Sequence, residues 1–150
     1  MNVILFSVEP VAKYCAEFLR GLGGSVVLCC PSAQVSLVGK AAALESAFDQ
    51  VWLYESIDSP ELLESIEQFN PDYIFSIYLP DKVPDTIISA SKLLSANFHP
   101  APLPEYRSAD ANFWPLYEGR EQTAVSFHKL NSDWDSGDLL LIKYYEIKKN

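Results

Sequence analysis

The chain has few of the residues that build disulfide frameworks and metal centres. Its 150 residues include three cysteines and two histidines. An odd cysteine count, with Cys29 next to Cys30 and Cys15 apart from both, fits neither a disulfide framework nor a zinc site. His99 and His128 are not followed at ligand spacing by further His or Cys, so metal catalysis has almost no ligands to draw on. We therefore predict no metal site and a reducing, cytoplasmic location.

Positive charge and long apolar runs are also scarce. Eleven Lys and Arg stand against 20 Asp and Glu, a formal net charge of −9, and the cations are scattered. Because such a chain repels polyphosphates, we predict no nucleic-acid partner. No window approaches the roughly 20 uninterrupted apolar residues of a membrane span, and the start lacks the basic region of a signal peptide. With 49% apolar residues, residues 1–150 are predicted to form one soluble globular domain.

Short apolar runs alternate with helical patterns along most of the chain. Strands are predicted at residues 2–7, 25–30, 51–54, 72–79, 93–99, 123–130 and 138–147. Helices are predicted at residues 11–21, 41–48, 60–70, 84–90 and 110–117. This alternation predicts an α/β fold with a doubly wound, mostly parallel, twisted sheet and antiparallel strands added late. Ligands of such sheets lie outside the carboxyl ends of the strands, and His99 ends one of these strands.

Two helices are marked by more than an apolar pattern of the right length. The helix at 11–21 has five apolar side chains at helical spacing: Val11, Tyr14, Cys15, Phe18 and Leu19. In the helix that begins at Pro60, Ser59 supplies the N-cap, the proline takes the first position and Glu61 makes the first turn acidic. Asn70 followed by proline ends it.

Asn97 and His99 lie two residues apart on a predicted strand. Because strand side chains alternate between faces, these two point the same way, while Ala96 and Phe98 point the other way. A buried amide and imidazole satisfied by neighbouring backbone would explain the pair. Prolines at positions 100, 102 and 104 keep the following loop stiff and extended. That loop fits either the wall of a pocket or a plain connector.

A carboxylate that would complete the pair lies in the segment Asp-Trp-Asp-Ser-Gly, residues 133–137, between the last two strands. Asp135 is a candidate partner for the imidazole of His99, since a nearby carboxylate favours the charged imidazole. The alternative is a turn whose carboxylates bind their own backbone. Spacing alone does not separate these two interpretations.

Four segments stand in this order in the second half of the chain: ANFHPAPLPEYR, FWPLYEG, TAVSFHKL and DWDSGDLL. Together they resemble the folate-dependent formyltransferase family, whose pattern is Asn-x-His-Pro, a Leu-Pro-x-Tyr-Arg-Gly loop, a Trp-containing helix followed by Gly-Glu, a Thr-x-x-x-His strand and Asp-x-Gly. The family includes methionyl-tRNA, glycinamide ribonucleotide, amino-sugar and peptide-synthetase formyltransferases. The resemblance extends from about residue 72 to residue 147. It implies a Rossmann-like formyltransferase fold and an N-formyltransferase that uses 10-formyltetrahydrofolate as co-substrate.

The resemblance also implies roles for particular residues. Asn97, His99 and Asp135 would be the catalytic trio: the first two would donate N–H groups to the oxyanion that forms when an amine attacks the formyl carbon. Either His99 or Asp135 would take the proton of that amine. His128 matches a family position that we interpret as structural.

Further positions are implied to contact the two substrates. The pteridine would lie against Ile77, Tyr78, Leu79, Val83, Ser132, Asp133 and Trp134. Plain core packing is the alternative for the apolar members of that set. The acceptor would be bound by Pro102, Tyr106 and Arg107, although a solvated surface arginine is the alternative for Arg107.

Several features depart from the family pattern. Ser108 stands in place of glycine, Pro115 is expected to interrupt the helix after Trp114, and no glycine-rich phosphate loop follows the first strand, which argues against a ribonucleotide acceptor. The chain stops soon after its last strand, so we expect it to be truncated at the C-terminus. Without helices after that strand, one face of the sheet would be uncovered, and we expect a further domain or a second copy to cover it. Together with the negative charge, the early end argues against a transfer-RNA substrate.

The predicted acceptor is therefore a small or carrier-tethered primary amine, such as an amino-sugar nucleotide or an aminoacyl group. Two alternatives share the same residues. One is a 10-formyltetrahydrofolate hydrolase, which would pass the formyl group to water. The other is a catalytically idle folate-binding or interaction module, whose uncovered apolar face would bind a partner.

Overall fold

The first part of the chain builds parallel strands and their helices. The computed structural model describes residues 1–8, 10–34, 46–107 and 109–148, and the chain divides into two compact units, Met1–Ser95 and Ala96–Asn150. The elements completed in the first unit are β1 (Asn2–Ser7), α1 (Val11–Gly21), β2 (Ser25–Pro31), a short 3-10 helix (Ser32–Gln34), β3 (Gln50–Tyr54), α2 (Pro60–Phe69), β4 (Tyr73–Ile77) and α3 (Asp85–Ile88). The assignment of all 150 residues to one domain stays a prediction.

Strand β1 lies in the interior of the first unit. Its strands are parallel in the order β3-β2-β1-β4, with Val3 paired to both Val26 and Tyr73. The chain proceeds from β1 outward to β3 and then returns to the other side of β1, which is the doubly wound order. Residues 3–6 and 26–30 are fully buried, because helices cover both faces of such a sheet.

Helix α1 is confirmed, but the apolar residues that predict it are not the buried ones. Ala12 and Ala16 are buried, whereas Tyr14 and Phe18 are 70% and 69% exposed. The small side chains let α1 lie close to β1 and β2, which it contacts. Helical periodicity gives the spacing of a stripe of side chains, and the packing partner decides which stripe is buried.

Helix α2 begins and ends where the sequence predicts. The hydroxyl of Ser59 accepts a hydrogen bond from Leu62 N at 3.3 Å, and Pro60 occupies the first turn. Asn70 ends the helix in the left-handed conformation, with φ 53°. Leu62 and Ile66 face the core, so the capping signals and the buried stripe agree.

The second unit is antiparallel. It contains β5 (Leu94–His99), which begins just before the division, α4 (Phe113–Tyr117), β6 (Gln122–Lys129) and β7 (Leu139–Glu146). Both strand pairs, β5 with β6 and β6 with β7, are antiparallel. Phe98 stacks on Phe127 with ring centroids 4.5 Å apart, on the face opposite Asn97 and His99. The predicted class, parallel strands first and antiparallel strands late, is confirmed.

Two predicted helices differ from the structure or lie outside it. Most of 41–48 lies outside the described residues, and Ser46 and Ala47 form a turn. The helix predicted from Asp110 begins only at Phe113, because Asp110 has φ 58°. Pro115 does not interrupt α4: it is the third helical residue, where its missing N–H would have no intrahelical acceptor.

None of the helices in the described ranges is long and apolar enough to cross a membrane.

Candidate active site

The carboxyl end of β5 brings Asn97 and His99 to one carboxylate. Asn97 Nδ2 donates to Asp135 Oδ1 at 3.3 Å, and His99 Nδ1 lies 3.4 Å from Asp135 Oδ2. His99 and Asp135 are 4% and 9% exposed, so water is largely excluded from the pair. The three side chains of the predicted trio therefore meet, although Asn97 and Asp135 are 38 positions apart.

Tyr106 determines which nitrogen of His99 carries a hydrogen. His99 Nε2 lies 2.8 Å from the backbone oxygen of Tyr106, and because a carbonyl oxygen only accepts, Nε2 must donate. A neutral imidazole then has its lone pair on Nδ1, which faces Asp135 Oδ2. A carboxylate oxygen and an unprotonated ring nitrogen are both acceptors, so a hydrogen bond between them requires a proton. The 3.4 Å contact between His99 Nδ1 and Asp135 Oδ2 is therefore a hydrogen bond only when one proton lies between the two atoms.

His128, which we interpret from the sequence as structural, is a fourth side chain at this site and contacts both Asn97 and Asp135. Its Nδ1 lies 2.9 Å from the backbone oxygen of Lys129, so Nδ1 carries the hydrogen and Nε2 is an acceptor in the neutral ring. Asn97 Nδ2 lies 3.1 Å from that Nε2, and Asp135 Oδ1 lies 3.4 Å from it. The two hydrogens of the Asn97 amide nitrogen therefore have two acceptors, which hold the amide in one orientation.

The loop between β6 and β7 is braced by Asn131. Its Oδ1 accepts hydrogen bonds from Asp133 N at 3.2 Å and from Ser136 Oγ at 3.0 Å. Asp135 has a left-handed backbone, with φ 47°, a conformation that aspartate tolerates. Its carboxylate contacts His99 and Asn97, so the interpretation of Asp135 as a partner of His99 agrees with the geometry better than a turn that binds only itself.

Gly137 lies against the backbone of β6. A Cβ atom at this position would be 1.9 Å from the backbone oxygen of Lys129, the same oxygen that His128 Nδ1 contacts. Only a residue without a side chain fits so close to a backbone oxygen. This close approach explains why the residue at position 137, two residues after Asp135, is a glycine.

Gly137→Ala is expected to lower the free energy of unfolding by about 1–3 kcal/mol, because the loop backbone must move away from β6. Urea unfolding monitored by tryptophan fluorescence measures this loss. Gly21→Ala is the matched control, since an added Cβ there meets nothing within 4 Å, and its effect should stay within about 0.5 kcal/mol. Equal unfolding midpoints for the two variants would contradict the close packing of Gly137.

The loop after His99 is tied to β6 by a buried hydroxyl. Ser126 Oγ donates to Ala101 O at 2.6 Å and accepts from Leu103 N at 3.0 Å. Ser126 is also the residue opposite His99 in the β5–β6 pair. The Leu103–Pro104 peptide bond is cis. These contacts hold the proline-rich loop where the carbonyl of Tyr106 reaches His99.

The residues predicted to contact the pteridine belong to both units. In the first unit, Ile77 and Val83 are 4% and 3% exposed, whereas Tyr78 is 42% exposed and has φ 51°; Leu79 is half-buried. In the second unit, the predicted residues are all exposed: Ser132, Asp133 and Trp134. The burial of Ile77 and Val83 also fits plain core packing, so pteridine contact stays a prediction.

A buried hydroxyl anchors the segment that follows β4. Tyr54 OH donates to Asp81 Oδ2 at 3.1 Å. Burial, followed by the charge of Asp81, raises the pKa of Tyr54 far above its ordinary value. The phenol therefore stays protonated and continues to donate, which holds Asp81 in place next to the predicted pteridine contacts.

The cysteines are not prepared for nucleophilic chemistry. All three are free thiols, and burial raises the pKa of Cys15, Cys29 and Cys30, so the reactive thiolate is disfavoured. Among the residues that the structure describes, no group of three or more His, Cys, Asp or Glu is placed to hold a metal ion. The metal-free site stays a prediction.

A family model described as "Formyl transferase" matches residues 29–150. The chain belongs to the formyl transferase family. GDP-perosamine N-formyltransferase of Brucella melitensis biotype 1 is 32% identical over 84 residues, which are 56% of this formyl transferase chain and 32% of the relative. Methionyl-tRNA formyltransferase of Ehrlichia ruminantium (strain Gardel) is 32% identical over 97 residues, 65% of this chain and 32% of the relative. These matches span about a third of each relative's length.

Solved structures share the fold of this formyl transferase chain. Phosphoribosylglycinamide formyltransferase from Bacillus halodurans superimposes with a TM-score of 0.79 at 17% identity, covering 99% of this chain and 81% of that one. HypX from Aquifex aeolicus superimposes with a TM-score of 0.71 at 20% identity, covering 99% of this chain and 22% of that one. The predicted Rossmann-like formyltransferase fold and the predicted family are confirmed.

Proposed function

We propose that this formyl transferase moves a formyl group from 10-formyltetrahydrofolate, its co-substrate, to the primary amine of a small or carrier-tethered acceptor. The observation that carries the proposal is the contact of Asn97 and His99 with the buried carboxylate of Asp135, at 3.3 and 3.4 Å. 10-Formyltetrahydrofolate supplies the formyl carbon, while these residues supply hydrogen-bond donors and a shared proton. Both are needed when a nitrogen nucleophile attacks a carbonyl.

In the proposed reaction, Asn97 and His99 donate hydrogen bonds to the formyl oxygen as negative charge develops on it. His99 Nε2 donates to the carbonyl of Tyr106 at 2.8 Å. Nδ1, which lies 3.4 Å from Asp135 Oδ2, is therefore the nitrogen left to donate to the formyl oxygen, and it does so when it carries the proton. Both hydrogens of Asn97 Nδ2 already have acceptors, so the formyl oxygen replaces one of them. Asp135 Oδ1, at 3.3 Å, is the more distant acceptor and is the one that we expect to be displaced.

A proton shared by His99 and Asp135 would let the pair act on both charged groups of the reaction, the negative formyl oxygen and the positive nitrogen of the attacking amine. With the proton on His99, the imidazolium stabilises the negative formyl oxygen and the carboxylate accepts the proton that the attacking amine loses. As the tetrahedral intermediate collapses, the bond between the formyl carbon and N10 breaks, and Asp135 passes the amine proton to N10, so that tetrahydrofolate leaves and the formamide remains. Because the two groups are in contact at 3.4 Å, each holds the other in place. Removing either one therefore impairs both functions.

The acceptor that we propose is a primary amine. One relative is named for the N-formylation of GDP-perosamine, which supports an amino-sugar nucleotide; an aminoacyl group on a carrier is the other member of the proposed class. Pro102, Tyr106 and Arg107 lie on the loop that follows His99, and Arg107 is exposed. Their place on the loop supports the proposal that they contact the acceptor.

We also propose that further protein covers β7, as a second copy or an additional domain. Five large apolar side chains of this strand are 41–62% exposed: Leu139, Leu140, Leu141, Tyr144 and Tyr145. An exposed apolar strand is a surface for association.

The three free thiols support a reducing, cytoplasmic location.

Incubation with 10-formyltetrahydrofolate and a panel of acceptors tests the proposed activity. The panel contains a nucleotide-linked amino sugar, an aminoacyl carrier protein, methionyl-tRNA and a no-amine reaction; tetrahydrofolate release is followed by absorbance and the product by mass spectrometry. We expect a formamide with one of the first two acceptors. Formate in the no-amine reaction would instead establish the hydrolase. Folate binding without release in any reaction would establish the idle module and overturn the enzymatic proposal.

A further inference from the structure

Tyr106 connects two exposed residues, Arg120 and Glu118, to His99, with one hydrogen bond at its hydroxyl and another at its backbone oxygen. Arg120 Nε donates to Glu118 Oε2 at 2.9 Å, and the hydroxyl of Tyr106 donates to the same oxygen at 2.5 Å. The backbone oxygen of Tyr106 then accepts from His99 Nε2 at 2.8 Å. Tyr106 is therefore held through its side chain and holds His99 through its carbonyl.

The backbone of Tyr106 needs such a contact. Its φ is 56°, a left-handed conformation that a bulky non-glycine residue adopts only where its surroundings hold it. The preceding part of the loop is anchored at Leu103 N by Ser126. Glu118, just past the end of α4, supplies a second anchor at Tyr106 itself.

The ionisation states of Glu118 and Tyr106 match their roles as hydrogen-bond acceptor and donor. The hydrogen bond from Tyr106, followed by that from Arg120, lowers the pKa of Glu118. The hydrogen bond to Glu118 raises the pKa of Tyr106. The lowered pKa of Glu118 keeps its carboxylate ionised to a lower pH than that of an ordinary glutamate, and the raised pKa of Tyr106 keeps its hydroxyl protonated to a higher pH than that of an ordinary tyrosine. Both forms are present at neutral pH.

We propose that Glu118 is a positioning residue: it holds Tyr106, whose carbonyl keeps a hydrogen on His99 Nε2 and thereby turns Nδ1 to Asp135. The inference rests on the proposed function, because His99 belongs to the proposed catalytic trio. It gives the hydroxyl of Tyr106 a partner within the protein, in addition to the acceptor contact proposed for Tyr106. Arg120 orients the carboxylate of Glu118.

The chain contains two histidines, which makes a direct test possible. Spectra of the ¹⁵N-labelled imidazoles show which ring nitrogen carries the hydrogen, and His99→Gln assigns the signals. In the wild type, we expect His99 protonated at Nε2. In Tyr106→Phe and Glu118→Gln, we expect the His99 signals to shift toward a mixture of tautomers, with a smaller change at His128, whose Nδ1 is held by Lys129 O.

Kinetics give the second readout. For each variant, we expect kcat to fall about tenfold with the KM for 10-formyltetrahydrofolate unchanged, well within the ~10²-fold that misplacing a catalytic group costs. The double variant should resemble the single ones, because both changes act on the same hydrogen bond: Tyr106→Phe removes the donor, and Glu118→Gln removes the charge that strengthens the bond. Glu17→Gln, which removes the charge of an exposed carboxylate 3.8 Å from Lys13, is the matched control and should change neither readout.

The two readouts keep this inference separate from the proposed function. The spectra need no substrate, so tautomer shifts in a protein that transfers no formyl group would support the positioning of His99 and overturn the proposed activity. Wild-type His99 signals in both variants would overturn the positioning inference even if formyl transfer is found. Glu118→Gln keeps the shape of an exposed side chain, so we expect this variant to fold. If Tyr106→Phe does not fold, Glu118→Gln alone is sufficient for the test.

Discussion

Asp135→Asn is expected to slow formyl transfer by about 10²–10⁴-fold, the range for loss of a general acid or base. Asparagine has the shape of aspartate but holds no exchangeable acidic proton, so the pair with His99 Nδ1, 3.4 Å away, no longer shares one. The attacking amine then loses its proton acceptor. The rate of tetrahydrofolate release in a single turnover, with donor and acceptor saturating, measures the effect.

The control for this variant removes a carboxylate three positions further along. Asp138→Asn changes a side chain that is 80% exposed and pairs with Lys129 Nζ at 3.0 Å. Because an exposed pair contributes only about 0–1 kcal/mol to stability, we expect its single-turnover rate to equal that of the wild type. If both variants retain that rate, Asp135 takes no part in proton transfer.

Asn97→Ala is expected to lower kcat by about 10²–10³-fold, the loss measured when one donor to an oxyanion is removed. The KM for 10-formyltetrahydrofolate should change little, because this hydrogen bond is strongest when the formyl oxygen is charged. The variant also leaves His128 Nε2 without its donor at 3.1 Å. We therefore expect the free energy of unfolding to fall by about 1–3 kcal/mol, the cost of an unsatisfied buried acceptor.

Ser95→Ala separates these two effects of the Asn97 substitution. Ser95 lies on the same strand, is 7% exposed and donates to Ile88 O at 2.7 Å. Its loss is expected to lower stability and leave kcat unchanged. Steady-state kinetics and urea unfolding on both variants make the comparison. Equal kcat values for the two variants would rule out Asn97 as a donor in the reaction.

Some parts of the candidate site follow from local rules. Alternation along a strand is enough to place Asn97 and His99 on one face, and the stacking of Phe98 on Phe127, at 4.5 Å, lies on the other. The start of α2 is equally local, because the hydroxyl of Ser59 reaches the backbone N–H of Leu62 within the same turn. Such features depend on neighbouring residues, so the sequence contains all the information they need.

Membership of His128 in the cluster depends on the register of two strands. In the structure, His128 lies opposite Asn97, whereas a shift of one residue would turn it to the other face. The long connection between β5 and β6 leaves that register open at the level of sequence. The exposed face of α1 was similarly unpredictable, because Ala12 and Ala16 are buried only by virtue of the strands against which they pack.

The sequence by itself determined the order of strands and helices, the shared face of Asn97 and His99, and the family, because these rest on local spacing and on motifs in a fixed order. The tertiary structure alone decided that Asp135 lies within 3.4 Å of His99, that His128 holds the Asn97 amide, and that the Tyr106 carbonyl fixes the His99 hydrogen. These contacts join positions that only strand pairing and loop packing bring together. Their protonation states follow from which donors and acceptors then meet.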